Sequence, residues 1–392
     1  MPWRTVTPMD EKLLFIADYL RGNQKNFTQL CRLYGISRKT GYKWVSRYDQ
    51  QGMDGLDEQS RRPRQSPLRT PYVIRQAIIE LRTGSRSPPG AKKLQAMLVK
   101  RFPHETPPSL TTIYTILHDA DLVRPRKKRS RVMPYAQPFS PVQAPNELWS
   151  VDYKGQMKLA NGRWCYPLTV MDHDSRYLLG CQGLEGPTYA ATREQFIRLF
   201  REYGLPQRIR SDNGTPFASR AAGGLSRLSV WWVRLGIRPE RIEPGKPQQN
   251  GRHERMHRTL KQATAKPPAT SLVAQQHRFD AFIHDYNVNR PHEALGQQPP
   301  VTHYRSSPRE YPAKLPELDY PDYYQRYQVR SSGVIYSHSG QIYVSHLLQG
   351  ETVGLEEVDD GVLDVYYGPI RLGYIDLQDQ RGKSCPYWTL KV

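Results

Sequence analysis

Three acidic residues in an otherwise basic stretch of chain have the types and places that phosphoryl chemistry needs. Asp152 follows Trp149-Ser150-Val151 at the end of an apolar run that reads as a strand. Asp212 closes the run "RIRSD" and is followed at once by the turn pair Asn213-Gly214. Glu254 falls one turn into a helix expected to begin after Pro247 and Asn250. Carboxylates at the ends of rigid elements face an open edge, where metal ligands belong. Hard cations take oxygen donors. Two Mg²⁺ (or Mn²⁺) ions about 3.5–4 Å apart neutralise a scissile phosphate and hold both oxygens of an in-line displacement. Each acid alone has an ordinary explanation: a strand-end residue, an Asx turn, a helix ion pair with Arg258. Their combination in one α/β unit between basic segments favours metal chemistry.

The same helix carries a competing signature. His253-Glu254-Arg255-Met256-His257 is an H-E-x-x-H string, the helical zinc site of a hydrolase. Residues 253 and 257 do share a helix face. Against zinc, Arg252, Arg255, Arg258 and Lys261 crowd the helix with positive charge, which repels Zn²⁺ and suits phosphate. No third ligand presents itself, since His277 lies in a different helix. Glu254, Arg258 and Lys261 fall at i, i+4 and i+7, one stripe that sets a carboxylate beside two phosphate clamps. The histidine match reads as coincidence.

The elements that must position the acids are legible in the pattern between 147 and 303. "LWSVDYKGQMKL", a tight "NG" turn at 161–162, "RWCYPLTVMD" and "SRYLLGCQGL" read as three antiparallel strands. After them come a helix over Tyr189–Tyr203, the strand "QRIRSD", a helix around Leu225–Leu235, a short strand "IRPERI", the Glu254 helix and the helix "SLVAQQHRFDAFIHDYNV". That is a mixed α/β layer fold.

The 392-residue chain carries a formal net charge of +20 and a pI near 9.8. The charge is +15 over residues 1–146, +10 over 147–314 and −5 over 315–392. Such an excess points to a polyanion, double-stranded DNA above all, gripped mainly by the N-terminal third. There "NFTQLCRLYGISRKTGYKWVSRYDQQG" reads as helix, Gly35 turn, Ser37 cap and second helix, a helix-turn-helix. Its second helix offers Lys39, Thr40, Tyr42, Lys43 and Arg47 to the major groove. Residues 66–124 read as a second helix-turn-helix, plain or winged. Residues 125–146, with Arg126, Lys127, Lys128 and Arg129 and five prolines, read as a basic linker that tracks a DNA backbone. Beyond a linker at 304–330, the alternation of short apolar runs with Gly and Asp turns over 331–392 predicts a small β-barrel.

Four scattered cysteines with no C-x-x-C pair exclude a disulfide framework or a cysteine zinc site. The N-terminus lacks the apolar run of a signal peptide, and no stretch approaches about 18 apolar residues. The expectation is a cytoplasmic, nucleoid-associated protein with no membrane partner.

"WSVDYKG", "RSDNGTPF" and "PGKPQQNGRHERMHRTLK", followed by "YNVNRPHEALGQQPP", resemble the integrase-core transposases of bacterial insertion sequences, relatives of retroviral integrases. The resemblance covers about 147–303 and implies a ribonuclease H-like catalytic core. It implies that Asp152, Asp212 and Glu254 form the metal-binding triad of a DDE transposase holding two Mg²⁺ (or Mn²⁺) ions, and that Lys261 contacts transposon-end DNA. Asp172 and Arg176 in "MDHDSRYLLG" would be structural. Forty-one residues separate Asp212 from Glu254, more than in many members; the extra length falls in "SRAAGGLSRLSVWW", expected as a surface helix. The resulting expectation is a multidomain chain: helix-turn-helix 1–65, second unit 66–124, linker 125–146, catalytic core 147–303, linker 304–330 and barrel 331–392. It would bind terminal inverted repeats, cleave DNA and transfer the 3′-OH to target DNA, as a homodimer or higher oligomer. The rival reading is a DNA-binding regulator with an inactive core.

Overall fold

The computed structural model describes residues 7–22, 26–58, 69–123, 141–219, 221–243, 247–380 and 387–391. The chain forms two compact units, Met1–Arg69 and Thr70–Val392. The basic residues Arg126, Lys127, Lys128 and Arg129 lie outside the described residues.

The first unit is all-helical: α1 (Pro8–Arg21), α2 (Phe27–Leu33) and α3 (Arg38–Gln51), closed by a 3₁₀ turn over Gly52–Leu56. Local sequence starts each helix. Thr7, Asn26 and Ser37 cap the three N-termini by accepting hydrogen bonds from the backbone N–H of Asp10, Thr28 and Thr40. Phe15, Ile16, Leu30, Cys31, Trp44, Val45 and Leu56 fill the core. Gly41 lets α2 and α3 cross closely, because a Cβ there would sit 2.6 Å from Cys31 Sγ.

The second unit begins with α4 (Tyr72–Thr83), α5 (Ala91–Arg101) and α6 (Leu110–Asp119), packed through Ile74, Ile78, Leu94, Leu98, Ile113 and Leu117. Among the described residues this module is all-helical, with no strand to form a wing. Polar contacts tie it to a later part of the same unit: Arg290 Nη1 donates to Ser87 O at 3.0 Å, and Lys92 pairs with Glu293 at 2.5 Å.

The strands β1 (Leu148–Tyr153), β2 (Met157–Lys158), β3 (Trp164–Asp172) and β4 (Leu178–Leu184) form the antiparallel part of a mixed sheet. Then come α7 (Tyr189–Tyr203), β5 (Arg208–Ser211), α8 (Arg227–Arg234), β6 (Arg238–Arg241), α9 (Gly251–Thr264) and α10 (Leu272–His284). The sheet runs β2-β3-β1-β5-β6, with β4 outside β3; β5 and β6 join β1 in parallel. One face buries Trp149, Val151, Leu168, Val170 and Ile209 against α7 and α8. The other buries Cys165, Met171, Leu178 and Cys181 against α9 and α10. The alternation along each strand does this: odd residues of β1 face one layer, even residues the other.

Two expectations are corrected here. The helix expected at the surface between Asp212 and Glu254 is α8, and it is buried. Leu228, Trp231 and Trp232 enter the core between the mixed sheet and α7, whereas Leu225, Val230 and Val233 enter a separate C-terminal core. An added segment with apolar residues on both sides joins two cores rather than coating one. The C-terminal strands β7 (Gln325–Gln328), β8 (Val334–Ser337), β9 (Gly340–Tyr343), β10 (Thr352–Asp359), β11 (Val362–Tyr367), β12 (Ile370–Asp376) and β13 (Tyr387–Thr389) do not close into a barrel among the described residues. They make a four-stranded sheet, β12-β11-β10-β7, and a three-stranded one, β13-β9-β8, over a shared core with α8. The stretch expected as a linker lies on the protein, with Tyr304, Tyr311 and Leu315 packed against the same core of the mixed sheet.

Candidate active site

Strand pairing brings two of the acids together. Ser150 on β1 is the register partner of Arg210 on β5. Two residues past this pair stand Asp152, still on β1, and Asp212, just beyond the end of β5. Their closeness shows in their acidity. Burial, and next the Asp212 charge, push Asp152 up to about 7; Lys154 pulls the other way. Burial raises Asp212 as well, opposed by the Gly214 N–H, which donates to Asp212 Oδ1 at 3.1 Å. Half-buried carboxylates side by side are a charge arrangement that a divalent cation relieves.

Glu254 is exposed in the first turn of α9, where a negative charge suits the helix dipole. Its helix lies against β1 and is close enough for Glu254 to add to the rise at Asp152. Arg258 and Lys261 are exposed too, one and two turns along. Among the described residues, however, no three His, Cys, Asp or Glu side chains gather closely enough to make a finished metal cage. By donor type, Asp152, Asp212 and Glu254 all fit a hard divalent ion.

The approach to α9 is anchored. Gln249 is buried, accepts from Glu243 N at 2.7 Å and donates to Glu243 Oε1 at 2.9 Å. Arg210 is buried and pairs with Glu240 at 2.5 Å, and it also donates to Gln249 O.

The histidines of the H-E-x-x-H string are not a zinc site, nor are they a coincidence. Both are buried, 0 % and 3 % exposed. His253 Nδ1 lies 2.8 Å from Ser150 Oγ, and its Nε2 2.7 Å from Thr169 Oγ1. His257 Nε2 also lies 2.7 Å from Thr169 Oγ1, and its Nδ1 is 3.5 Å from Asp152 Oδ2. The one hydroxyl proton of Thr169 goes to Asp152 O at 2.9 Å, so both imidazoles present Nε2–H to it. Burial keeps both rings neutral, lowering His253 to about 3 and His257 further. His277 lines a cleft of about 900 Å³ between α4–α5 and α10, away from the pair. Sequence reasoning missed Ser150, Thr169, His253 and His257 as companions of Asp152. The available signal was a pair of hydroxyl residues on the same apolar sheet face as Asp152.

Asp172 and Arg176 are structural, as expected. Asp172 is fully buried and accepts from Asn146 N, Ser175 N and Ser175 Oγ. Arg176, at a φ of 64°, donates to His173 O.

In the first unit, Lys39, Tyr42 and Lys43 are exposed on α3. Thr40 is half-buried and hydrogen-bonded to the Ser37 cap. Arg47 is half-buried with its guanidinium over the Trp44 ring, 5.2 Å from the centroid. Tyr42 stacks on Phe27 at 4.2 Å. The outward-facing set is therefore narrower than the sequence suggested.

Comparison with known proteins agrees with this arrangement. Two models of the integrase core domain match residues 142–247 and 235–300. A helix-turn-helix domain model matches 11–64, and a homeodomain-like one matches 40–117. The insertion element IS407 uncharacterized 31.7 kDa protein of Burkholderia multivorans is 30% identical over 275 residues, 69% of this chain and 87% of that protein. The insertion element IS476 uncharacterized 39.2 kDa protein of Xanthomonas euvesicatoria is 30% identical over 245 residues, 61% of this chain and 67% of that one. The HTLV-2 integrase catalytic core domain, solved in complex with magnesium, superposes on 41% of this chain and 98% of its own at 16% identity. Its TM-score is 0.34, too slight a likeness to bear on function.

Proposed function

The chain belongs to the integrase-core transposases of bacterial insertion sequences, and on that premise we propose that it cuts and joins DNA at Asp152, Asp212 and Glu254. The observation that carries this reading is the side-by-side placement of Asp152 and Asp212 at the ends of adjacent parallel strands, with the Glu254 helix along the same strand. When bound, Mg²⁺ or Mn²⁺, two ions in this reading, would supply charge neutralisation at the scissile phosphate and activation of the attacking oxygen. Asp152 and Asp212 would hold the metal that both share, with Glu254 completing the site.

The reaction is two displacements at phosphorus. Water attacks a phosphodiester at the element's end, the bond from phosphorus to the 3′ oxygen breaks, and a 3′-OH is freed. That 3′-OH then attacks a target phosphodiester, displacing its 3′ oxygen. Arg258 and Lys261 would clamp the phosphates flanking the reacting one. Residues 1–65 and 66–124 would read the terminal inverted repeats, chiefly through Lys39, Tyr42 and Lys43, with Thr40 and Arg47 supporting α3. The linker 125–146, with Arg126, Lys127, Lys128 and Arg129, would track the backbone. The core 147–303 would do the chemistry; 304–330 and 331–392 complete the chain. Handling two element ends and a target needs two or more copies, so a homodimer or higher oligomer on DNA is part of the proposal. The workplace would be the bacterial cytoplasm, at the nucleoid.

That no three His, Cys, Asp or Glu side chains gather into a metal cage among the described residues favours a second reading, a DNA-binding regulator whose core does no chemistry. Nicking of end-sequence DNA in Mg²⁺ decides. The transposase reading expects 3′-end cleavage by the parent protein and none by Asp212→Asn. Equal cleavage by both, or by neither, sinks it.

A further inference from the structure

Apolar packing holds α9 on the sheet without choosing where along the sheet it stops. Met256, Leu260 and Ala263 share a buried cluster with Leu159, Cys165, Met171 and Cys181. Contacts of that kind are non-directional. A slide of one helical turn, about 5.4 Å, would exchange one set of methyl contacts for another.

Directional bonds do choose, and they lie in the middle of this interface. His253 bridges Ser150 Oγ and Thr169 Oγ1, at 2.8 and 2.7 Å. His257 bonds Thr169 Oγ1 through Nε2 at 2.7 Å, with its Nδ1 3.5 Å from Asp152 Oδ2. The two rings meet edge to face with centroids 4.6 Å apart. The spacing on each side is matched. Four residues of helix rise about 6 Å, and two residues of strand about 6.7 Å. The histidines are four apart on α9; Ser150 and Asp152 are two apart on β1, with Thr169 of β3 directly opposite Asp152. The match holds in one register. A one-turn slip strands a buried imidazole without partners, which folding penalises.

We propose that His253, His257 and Thr169 form a register lock: positioning residues that fix α9 along β1 and so set the separation of Glu254 from Asp152 before any cation arrives. The lock also holds the Asp152 backbone, through the Thr169 hydroxyl. A buried polar group specifying a unique register is the best-attested use of such groups. This inference rests on the reading of Asp152 and Glu254 as metal-binding residues, and the experiment separates the two.

Mn²⁺ binding to the full-length protein is measured by calorimetry, alongside thermal unfolding and binding of end-sequence DNA. Thr169→Val is near-isosteric and removes only the shared hydroxyl. It is expected to stay folded and bind DNA, while its Mn²⁺ affinity falls about tenfold or more, as for other residues that orient metal ligands. Leu260→Ala, which weakens the same interface without touching the lock, is expected to unfold at lower temperature and keep its Mn²⁺ affinity. A merely structural role would make the two variants alike. His257→Gln, whose amide nitrogen can stand in for Nε2, is expected to bind Mn²⁺ better than His257→Ala. Asp152→Asn reports on the premise. If it abolishes Mn²⁺ binding and Thr169→Val leaves affinity unchanged, the lock is wrong and the metal site stands. If Asp152→Asn changes nothing, the metal site falls and the lock with it. Should Thr169→Val fail to fold, the His257 pair decides alone: Gln no better than Ala overturns the lock.

Discussion

Ser150 and Arg210 face each other as the last pair of the parallel β1–β5 ladder, and just beyond it Asp152 and Asp212 come near enough for the charge of one to act on the other. Sixty positions apart in the chain, the two acids become neighbours because a strand from each half of the core joins the same sheet. The rest of the candidate site is built around this pair: α9 on the sheet face below Asp152, and the Gln249–Glu243 anchor leading into that helix.

Asp152→Asn and Asp212→Asn each keep the shape of the side chain and remove its charge. On the proposed reading each reduces Mg²⁺-dependent cleavage on the order of 10³-fold or more, since residues acting as a unit fail together. Binding of end-sequence DNA in a gel-shift titration should survive both changes. A variant that cleaves at the parent rate removes that acid from the chemistry.

Acid should loosen the core around His253. The unfolded chain takes up its proton near the ordinary 6.5, whereas the buried ring holds out to about 3. Between those values the unfolded state binds more protons, so this contribution is complete above about 6.5 and is lost as pH falls toward 3. Asp152 works the opposite way. Its folded pKa near 7 lies above its ordinary 3.8, so its contribution is present at low pH and is lost as pH rises from about 4 to 7. Urea unfolding at pH 4.5 and 7 should therefore give a smaller pH difference in His253→Gln than in the parent, and a larger one in Asp152→Asn. Identical differences in all three would contradict the assignment.

Lys39 and Lys43 stand outward on α3, and Lys43 Nζ also lies 4.0 Å from the centroid of Trp44. If each neutralises a DNA phosphate, its alanine variant lowers the slope of log K against log salt by about 1. Affinity for end-sequence and unrelated DNA would drop together. An unchanged salt slope in both variants moves the DNA surface off this helix.

Trp232 is fully buried on α8, the helix that carries both the catalytic layer and the C-terminal sheets. Trp232→Ala should destabilise by about 3–5 kcal/mol. Because Val230 and Val233 on the same helix belong to the other core, the C-terminal strands should lose amide-exchange protection along with the catalytic layer. Protection lost in the catalytic layer alone would show that the two cores are independent.

Much of the fold was legible in the chain because the information was local. Capping residues such as Ser37, the 3.6-residue apolar period of α1 and α7, and the Asn161-Gly162 turn each act within a few positions, and the elements formed where those signals lie. Where a segment packs depends on distant partners. That is why α8 was expected at the surface, and why the C-terminal strands were expected to close into a barrel. By itself the sequence determined the basic character, the succession of helical units and mixed sheet, and which acids stand at element ends. Only the tertiary structure decided that β5 lies beside β1, that α9 lies against β1, and that the buried histidines bond Thr169. The physical reason is one of range: propensity, capping and turn chemistry are settled by neighbours in sequence, whereas strand order, layer choice and buried hydrogen-bond partners are settled by what the folded chain brings within a few ångströms.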